Sequence, residues 1–205
     1  LLAENARDRD FLLEAHTYKG GNLYWQGQFV AARKHFEHAI ALYDPKQHLS
    51  HAFLYGQDPG VVARSELSWL LWIQGYPDQA RKLSHETLLL AQEVSHAHSS
   101  AFALWFAAFL RSLYREWQAV QSLAEETIAL ASDQELPLWL ALGTLYRGLA
   151  LVGQERLHEG IAQMRQGLAA YEATGAAIGQ SGNLYELAWA QHLAGHVKPG
   201  LDLLT

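Results

Sequence analysis

The chain has 205 residues, half of them hydrophobic, with five prolines and no cysteine. This length and composition allow a large buried core and exclude disorder, while the absence of cysteine excludes disulfides, thiolate metal sites and cysteine nucleophiles. The net charge is −6 and the fifteen basic residues are spread along the chain, so neither a basic stripe nor direct nucleic-acid binding is expected.

The predicted elements, in chain order, are helices separated alternately by tight turns and longer loops. Good helix formers dominate the composition, and apolar residues recur at helical spacing, as in Phe36, Ala39 and Ile40. Pro77 and Pro137 suit first helical turns. Helices are expected at about 7–26, 29–43, 60–75, 77–93, 97–114, 117–132, 138–153, 157–173, 180–194 and 197–205.

One turn motif recurs at a fixed spacing between these helices. Its copies end at Ala80, Val120, Gly160 and Gly200, which are 40 residues apart. An earlier copy ends at Ala32, 48 residues before Ala80, and we assign the eight-residue excess to a loop over 44–60. Small residues suit these positions because two helices approach each other closely there.

The fixed period predicts an all-α fold, a right-handed superhelix of about five antiparallel helix pairs. A single pair cannot bury its apolar face alone, so neighbouring pairs must stack into one repeat domain over residues 1–205. The units are expected at about 7–44, 60–94, 97–133, 137–174 and 180–205.

The C-terminal end of this array has no polar capping helix after Leu201. Repeat arrays need such caps for solubility. Two alternatives follow: further repeats continue the chain, or this end pairs two copies as a homo-oligomer.

The first pair resembles the tetratricopeptide repeat (TPR) at its glycine, aromatic and alanine positions. These positions are Gly20, Gly27, Phe29, Ala32, Phe36, Ala39 and Leu42. Together with the 40-residue period, the segments 51–60 and 159–168 resemble the C-terminal helical region of bacterial signalling proteins that join a class III adenylate/guanylate cyclase domain to a signal-transduction ATPase module. The resemblance runs over roughly 10–205 and implies a regulatory region of a longer polypeptide, with any cyclase or ATPase domain lying outside this segment.

No motif for catalysis, metal binding or cofactor binding is present. The chain lacks a phosphate-binding loop and a nucleophile elbow, and its eleven histidines form no HExxH motif. Pairs such as His96 and His98 are expected to be solvated residues at a helix start. We therefore predict no enzyme activity, no cofactor and no metal in this segment. An enzymatic interpretation would require titratable groups that converge in one pocket.

The first helices of the pairs carry many aromatic residues on one face. By the 40-residue register, this face holds Tyr24, Trp69, Trp72, Phe102, Trp105, Phe109, Tyr185 and Trp189, with Arg64, Arg111 and Arg147 nearby. One interpretation is that the aromatic residues fill the core and the arginines are paired structurally. The other is a groove whose aromatic faces hold a ligand and whose arginines supply donors.

The sequence therefore predicts a non-catalytic protein-interaction and regulatory scaffold. Its partner would be a protein, a peptide or another domain of the parent chain. The alternative is a sensor domain that binds a small ligand or a peptide in the aromatic groove. No signal peptide precedes the helices, and the longest apolar run, Ala101 to Leu110, is about half of a membrane span, so we expect a cytoplasmic protein that does not enter the membrane.

Overall fold

Twelve helices and no strand make up the part of the chain that the computed structural model describes, residues 9–177 and 179–204. The helices are α1 (Arg9–Trp25), α2 (Phe29–Leu42), α3 (Pro45–His48), α4 (His51–Tyr55), α5 (Pro59–Ile73), α6 (Pro77–Val94), α7 (Ala97–Leu113), α8 (Trp117–Asp133), α9 (Pro137–Gly153), α10 (Leu157–Ala173), α11 (Gln180–Leu193) and α12 (Val197–Asp202). Over these residues, no helix combines the length and the apolar character needed to cross a bilayer. The all-α prediction is confirmed.

Four pairs of consecutive helices are joined by tight turns and pack together: α1 with α2, α5 with α6, α9 with α10, and α11 with the six-residue α12. A tight turn also joins α7 to α8. Pro77 and Pro137 are the first residues of α6 and α9. The turns repeat in conformation as well as in position. Gly75, Arg115, Glu155 and Gly195 lie 40 residues apart, and all four have a positive φ, between 58° and 83°. The left-handed residue ends each first helix and reverses the chain.

The segment 44–60, expected to be a loop, contains the short helices α3 and α4. Two aspartates determine where helices begin here. The side chain of Asp44 accepts a hydrogen bond from the main-chain nitrogen of Lys46, and that of Asp58 accepts one from Val61. In each case a proline follows the aspartate as the first residue of the helix, so both aspartates are helix N-caps.

The contacts divide the chain into two compact units, Leu1–Phe106 and Ala107–Thr205. In the first unit, α1 packs against α2 and α5, and α5 packs against α2 and α6. The core includes Leu13, Phe36 and Leu70, none of which is exposed. The ring of Phe36 occupies the space that a side chain at Gly20 would need.

In the second unit, α9 is the central helix and packs against α8, α10 and α11. Its contact with α10 is close because Gly148 and Gly160 face each other. A Cβ atom on Gly160 would lie 2.6 Å from the carbonyl oxygen of Gly148. The close approach expected at position 160 is therefore present, and Leu145, Leu149 and Met164 are fully buried around it.

Candidate functional site

Four aromatic side chains of the first unit form a connected group, which we call the aromatic cluster: Trp69 on α5 and Phe102, Trp105 and Phe106 on α7. The ring centroids of Trp69 and Phe106 are 4.0 Å apart and stacked, and those of Phe102 and Phe106 are stacked at 4.3 Å. Trp69 and Trp105 meet edge to face at 5.3 Å. Trp69 and Phe106 are buried, while Phe102 and Trp105 are partly exposed.

Trp69 is fixed at the base of this cluster. Its indole Nε1 donates a hydrogen bond of 2.9 Å to the main-chain carbonyl oxygen of Phe106, and the residue is 4% exposed. Trp69 is therefore held within the packed interior of the first unit.

Sequence reasoning did not single out the carboxyl of Glu66, which lies one helical turn before Trp69 on α5. Glu66 is only partly exposed, and within the described residues its carboxyl makes no hydrogen bond or ion pair. Burial raises the pKa of Glu66 to about 8 because the surroundings solvate the charged form poorly. At neutral pH this carboxyl is therefore mostly protonated.

The repeat could have revealed Glu66. At 40-residue intervals from it lie Phe106, Tyr146 and Glu186. Phe106 and Tyr146 are buried, so this repeat position belongs to the core, and an acid there is conspicuous. Glu186 shows the same effect in the second unit, where burial raises its pKa to about 7.

Tyr24 and Trp72, also expected at the site, are partly exposed. Tyr24 on α1 lies close enough to Glu66 for the two to interact electrostatically. Burial, with a smaller contribution from the Glu66 charge, raises the pKa of Tyr24 to about 12. The phenol therefore stays neutral and presents an O–H group near Glu66. Trp72 is one turn beyond Trp69 on the same helix.

All three predicted arginines have partners in the helices around them. Arg64 donates to the carbonyl oxygen of Gly60 and lies 5.3 Å from the ring centroid of Tyr43. In the second unit, Arg111 pairs with Glu116 at 2.8 Å, and Arg147 donates to the Gln163 amide at 2.8 Å.

The remaining predicted residues lie in the second unit. Phe109 contacts the ring of Tyr146, with centroids 6.1 Å apart. Trp189 stacks on Trp117 at 6.0 Å, whereas Tyr185 is exposed. Tyr185 and Trp189 together line one side of a mostly apolar hollow of about 240 Å³ between α11 and α12.

A buried polar network in the first unit ties the segment 44–60 to its neighbours. The hydroxyl of Tyr43 donates to Asp58 at 2.9 Å, and the main-chain nitrogen of Asp58 donates to Ser99 at 2.8 Å. Burial raises the pKa of Asp58, and the Val61 amide and the Tyr43 hydroxyl partly offset this. These groups are satisfied by one another and buried, which is typical of a structural network.

Two histidines extend polar contacts from this segment to α1. His51 Nδ1 lies 2.7 Å from the Glu14 carboxylate, and His48 Nε2 lies 3.2 Å from Asp10. Both histidines are buried. Across residues 9–177 and 179–204, no group of three or more histidines or carboxylates is arranged to hold a metal ion.

No protein-family model matches the chain, and no curated protein matches it. The fold is similar to solved TPR-like structures. The apo form of RapI has 9% identity and a TM-score of 0.64, over 93% of this chain and 67% of RapI. TPR-like repeats of a Podosopora anserina putative kinesin light chain have 17% identity and a TM-score of 0.60, over 94% of this chain and 91% of theirs; a single-substitution variant of those repeats has a TM-score of 0.61. The predicted TPR-like fold is thereby confirmed.

Proposed function

We propose that this chain is a non-catalytic interaction scaffold that binds a peptide segment of a partner protein at the aromatic cluster. The observation that carries the proposal is that the cluster has a buried base and a partly exposed top. Trp69 and Phe106 hold the position of Phe102 and Trp105, which are partly exposed. Rigid aromatic side chains give a large contact area with little loss of conformational entropy on binding.

Polar recognition would come from Glu66 and Tyr24. A neutral carboxyl has both a donor and an acceptor, and the Tyr24 hydroxyl adds another of each. These groups suit the unpaired main-chain amides of an extended peptide. A basic side chain in the partner would instead favour the ionised form of Glu66.

The wider context of the proposal follows from the sequence. The resemblance of segments 51–60 and 159–168 to cyclase-linked and ATPase-linked signalling proteins supports a regulatory role in a bacterial, cytoplasmic protein. In this proposal the five pairs, over residues 1–205, act as one repeat domain of a longer polypeptide, and another domain of that polypeptide is an alternative partner.

The proposal is tested by selecting peptides from a random library on the immobilised chain and measuring their affinity by calorimetry. We expect Trp105→Ala and Phe102→Ala to weaken the selected peptide at least about tenfold, which is a loss of about 1.4 kcal/mol. The matched control is Phe53→Ala, since Phe53 is 74% exposed and lies outside the cluster. Peptides that bind all variants equally would contradict the proposal.

A small-ligand sensor is the alternative use of the same cluster. Partly exposed aromatic side chains on α7 and a carboxyl on α5 that makes no hydrogen bond would also suit a small aromatic amine. A library of such amines would then raise the unfolding temperature of the chain, and Trp105→Ala would abolish that increase. Stabilisation by peptides alone would favour the interaction scaffold.

A further inference from the structure

Two histidines join the helices of the first pair. His16 lies on α1 and His35 on α2, their Nδ1 atoms are 2.9 Å apart, and their rings are tilted with centroids 4.9 Å apart. Both residues are partly exposed. They belong neither to the aromatic cluster nor to the buried network around Asp58, so the role of this contact is separate from the function proposed above.

The short distance between these two nitrogens limits how many protons the pair can hold. A hydrogen bond between ring nitrogens needs one proton and one lone pair, so one Nδ1 donates and the other accepts. The donating histidine can also be protonated at Nε2, because an imidazolium still donates through Nδ1. The accepting histidine cannot be protonated at Nδ1, since two N–H groups would then point at each other. The pair therefore holds at most one positive charge while the contact is intact.

The charges around the pair disfavour a second proton further. Within the described residues, the charged groups that act on His35 are Lys19 on α1 and His38 on α2, and α5, which packs against both helices, adds none. Burial lowers the pKa of His35, and the charges of Lys19 and His38 lower it further. The ring of His38 also lies 5.1 Å from that of His16, centroid to centroid, so in acid it brings another positive charge to the pair. His35 is therefore the member of the pair that stays neutral.

We propose that the contact between His16 and His35 is an acid-sensitive clasp, which holds α1 to α2 at neutral pH and opens when both imidazoles are protonated. In the unfolded chain both histidines ionise with an ordinary pKa of about 6.5, whereas the closed clasp accepts only one of the two protons. The clasp therefore stabilises the pair fully above about pH 6.5, and this contribution is lost as the pH falls below that value. Because the aromatic cluster lies on α5 and α7, the clasp can be tested independently of peptide binding.

The test compares urea denaturation of the wild type and of His35→Gln at pH 7.5 and at pH 5.5. Glutamine is polar but binds no proton, so His16 is free to ionise in this variant. Between the two pH values, the equilibrium constant for unfolding should rise about tenfold more in the wild type, because the folded chain keeps one imidazole neutral that the unfolded chain protonates. The matched control is His85→Gln, which removes an exposed histidine of α6 and should behave as the wild type. An equal pH dependence in the wild type and in His35→Gln would overturn the proposal.

Hydrogen exchange followed by mass spectrometry shows where the chain opens. At pH 5.5, residues 9–42 of the wild type should exchange faster than the same residues of His35→Gln, while residues 59–94 should exchange equally in the two proteins. A comparison at one pH removes the effect of pH on the chemical exchange rate. Faster exchange spread evenly over both ranges would contradict a clasp that acts on the first pair.

The shared proton itself is observable by NMR of the chain with ¹⁵N-labelled histidine, since the nitrogen chemical shift distinguishes a ring nitrogen that carries a proton from one that does not. At pH 7.5 the two Nδ1 atoms should differ, with the proton on His16 and the lone pair on His35. EDTA in the buffer keeps trace metal ions away from the nitrogens. Two Nδ1 atoms in the same protonation state would show that no proton is shared, and the clasp would then be wrong.

Discussion

The carboxyl of Glu66 lies against Gly21, with Oε2 3.0 Å from the point that a Cβ atom on this glycine would occupy. The absence of a side chain on α1 therefore leaves space for an acid on α5. The environment disfavours the charged form of that acid, and folding is consequently coupled to its protonation.

The pH dependence of stability should report this coupling. The pKa of Glu66 is raised from 4.5 to about 8 by burial, so between these values the folded chain holds a proton that the unfolded chain has released. The free energy of unfolding should therefore fall as pH rises from 4.5 to 8, by an amount on the order of 1 kcal/mol per pH unit from this group. Urea denaturation at several pH values measures it.

Glu66→Gln removes this contribution while keeping the shape of the side chain. The difference in unfolding free energy between the variant and the wild type should grow in favour of the variant up to about pH 8, and then stay constant. A difference that does not vary with pH would show that Glu66 is ionised in the folded chain.

Truncation to alanine should reduce the free energy of unfolding more at Trp69 than at Trp72, although both tryptophans lie on α5. Trp69→Ala leaves a cavity at the base of the aromatic cluster and removes a hydrogen bond, so we expect a loss of about 3–5 kcal/mol. Trp72→Ala should cost less than half as much, because Trp72 is already partly exposed. Chemical denaturation of both variants gives the comparison, and equal losses would mean that Trp72 also belongs to the core.

Replacing two helical glycines by alanine should change the free energy of unfolding in opposite directions. Gly160→Ala places a methyl group 2.6 Å from the Gly148 carbonyl oxygen, so α9 and α10 must separate, at an expected cost of about 1–3 kcal/mol. Gly182→Ala has open space around its Cβ and should gain up to about 1 kcal/mol from helix propensity. Thermal and urea unfolding would measure both changes in the free energy of unfolding. A Gly160→Ala variant that is more stable than the wild type would contradict the close packing of α9 and α10.

Because it belongs to the buried network, the hydroxyl of Tyr43 should contribute more to the free energy of unfolding than the hydroxyl of Tyr18. Tyr43→Phe removes the donor to the buried Asp58 carboxyl, and we expect a loss of about 1–3 kcal/mol. Tyr18→Phe is the matched control, because its hydroxyl only accepts a long, exposed hydrogen bond of 3.4 Å from Gln57. The control should change the unfolding free energy by less than about 0.5 kcal/mol.

The left-handed turn residues offer a route to a more stable chain. Glu155 has a φ of 67°, a conformation that costs a residue with a Cβ atom about 1–2 kcal/mol. We expect Glu155→Gly to gain about 0.5–1 kcal/mol, and Gly195→Ala, at the equivalent turn, to lose about 1 kcal/mol. Differential scanning calorimetry would show both effects, and a destabilising Glu155→Gly would indicate that the Glu155 side chain has a stabilising role of its own.

The sequence by itself determined the helices, their pairing and the close approach at Gly160. These features are encoded locally: the apolar period marks each helix, and turns and small residues recur every 40 residues. The helices α3 and α4 were not predicted, because segments of four or five residues are too short to show the apolar periodicity of a helix. Asp44 caps α3, and Asp58 caps the next long helix, α5.

Only the tertiary structure decided which aromatic side chains are buried and which acids are forced to be neutral. The hydrogen bond between Trp69 and Phe106 spans 37 residues, and that between Asp58 and Ser99 spans 41. Period and composition cannot distinguish an exposed aromatic ring from a buried one on the same helix face, nor a solvated carboxyl from one placed over Gly21. Those properties depend on how much water the neighbouring helices exclude, and that is settled when the helices pack together.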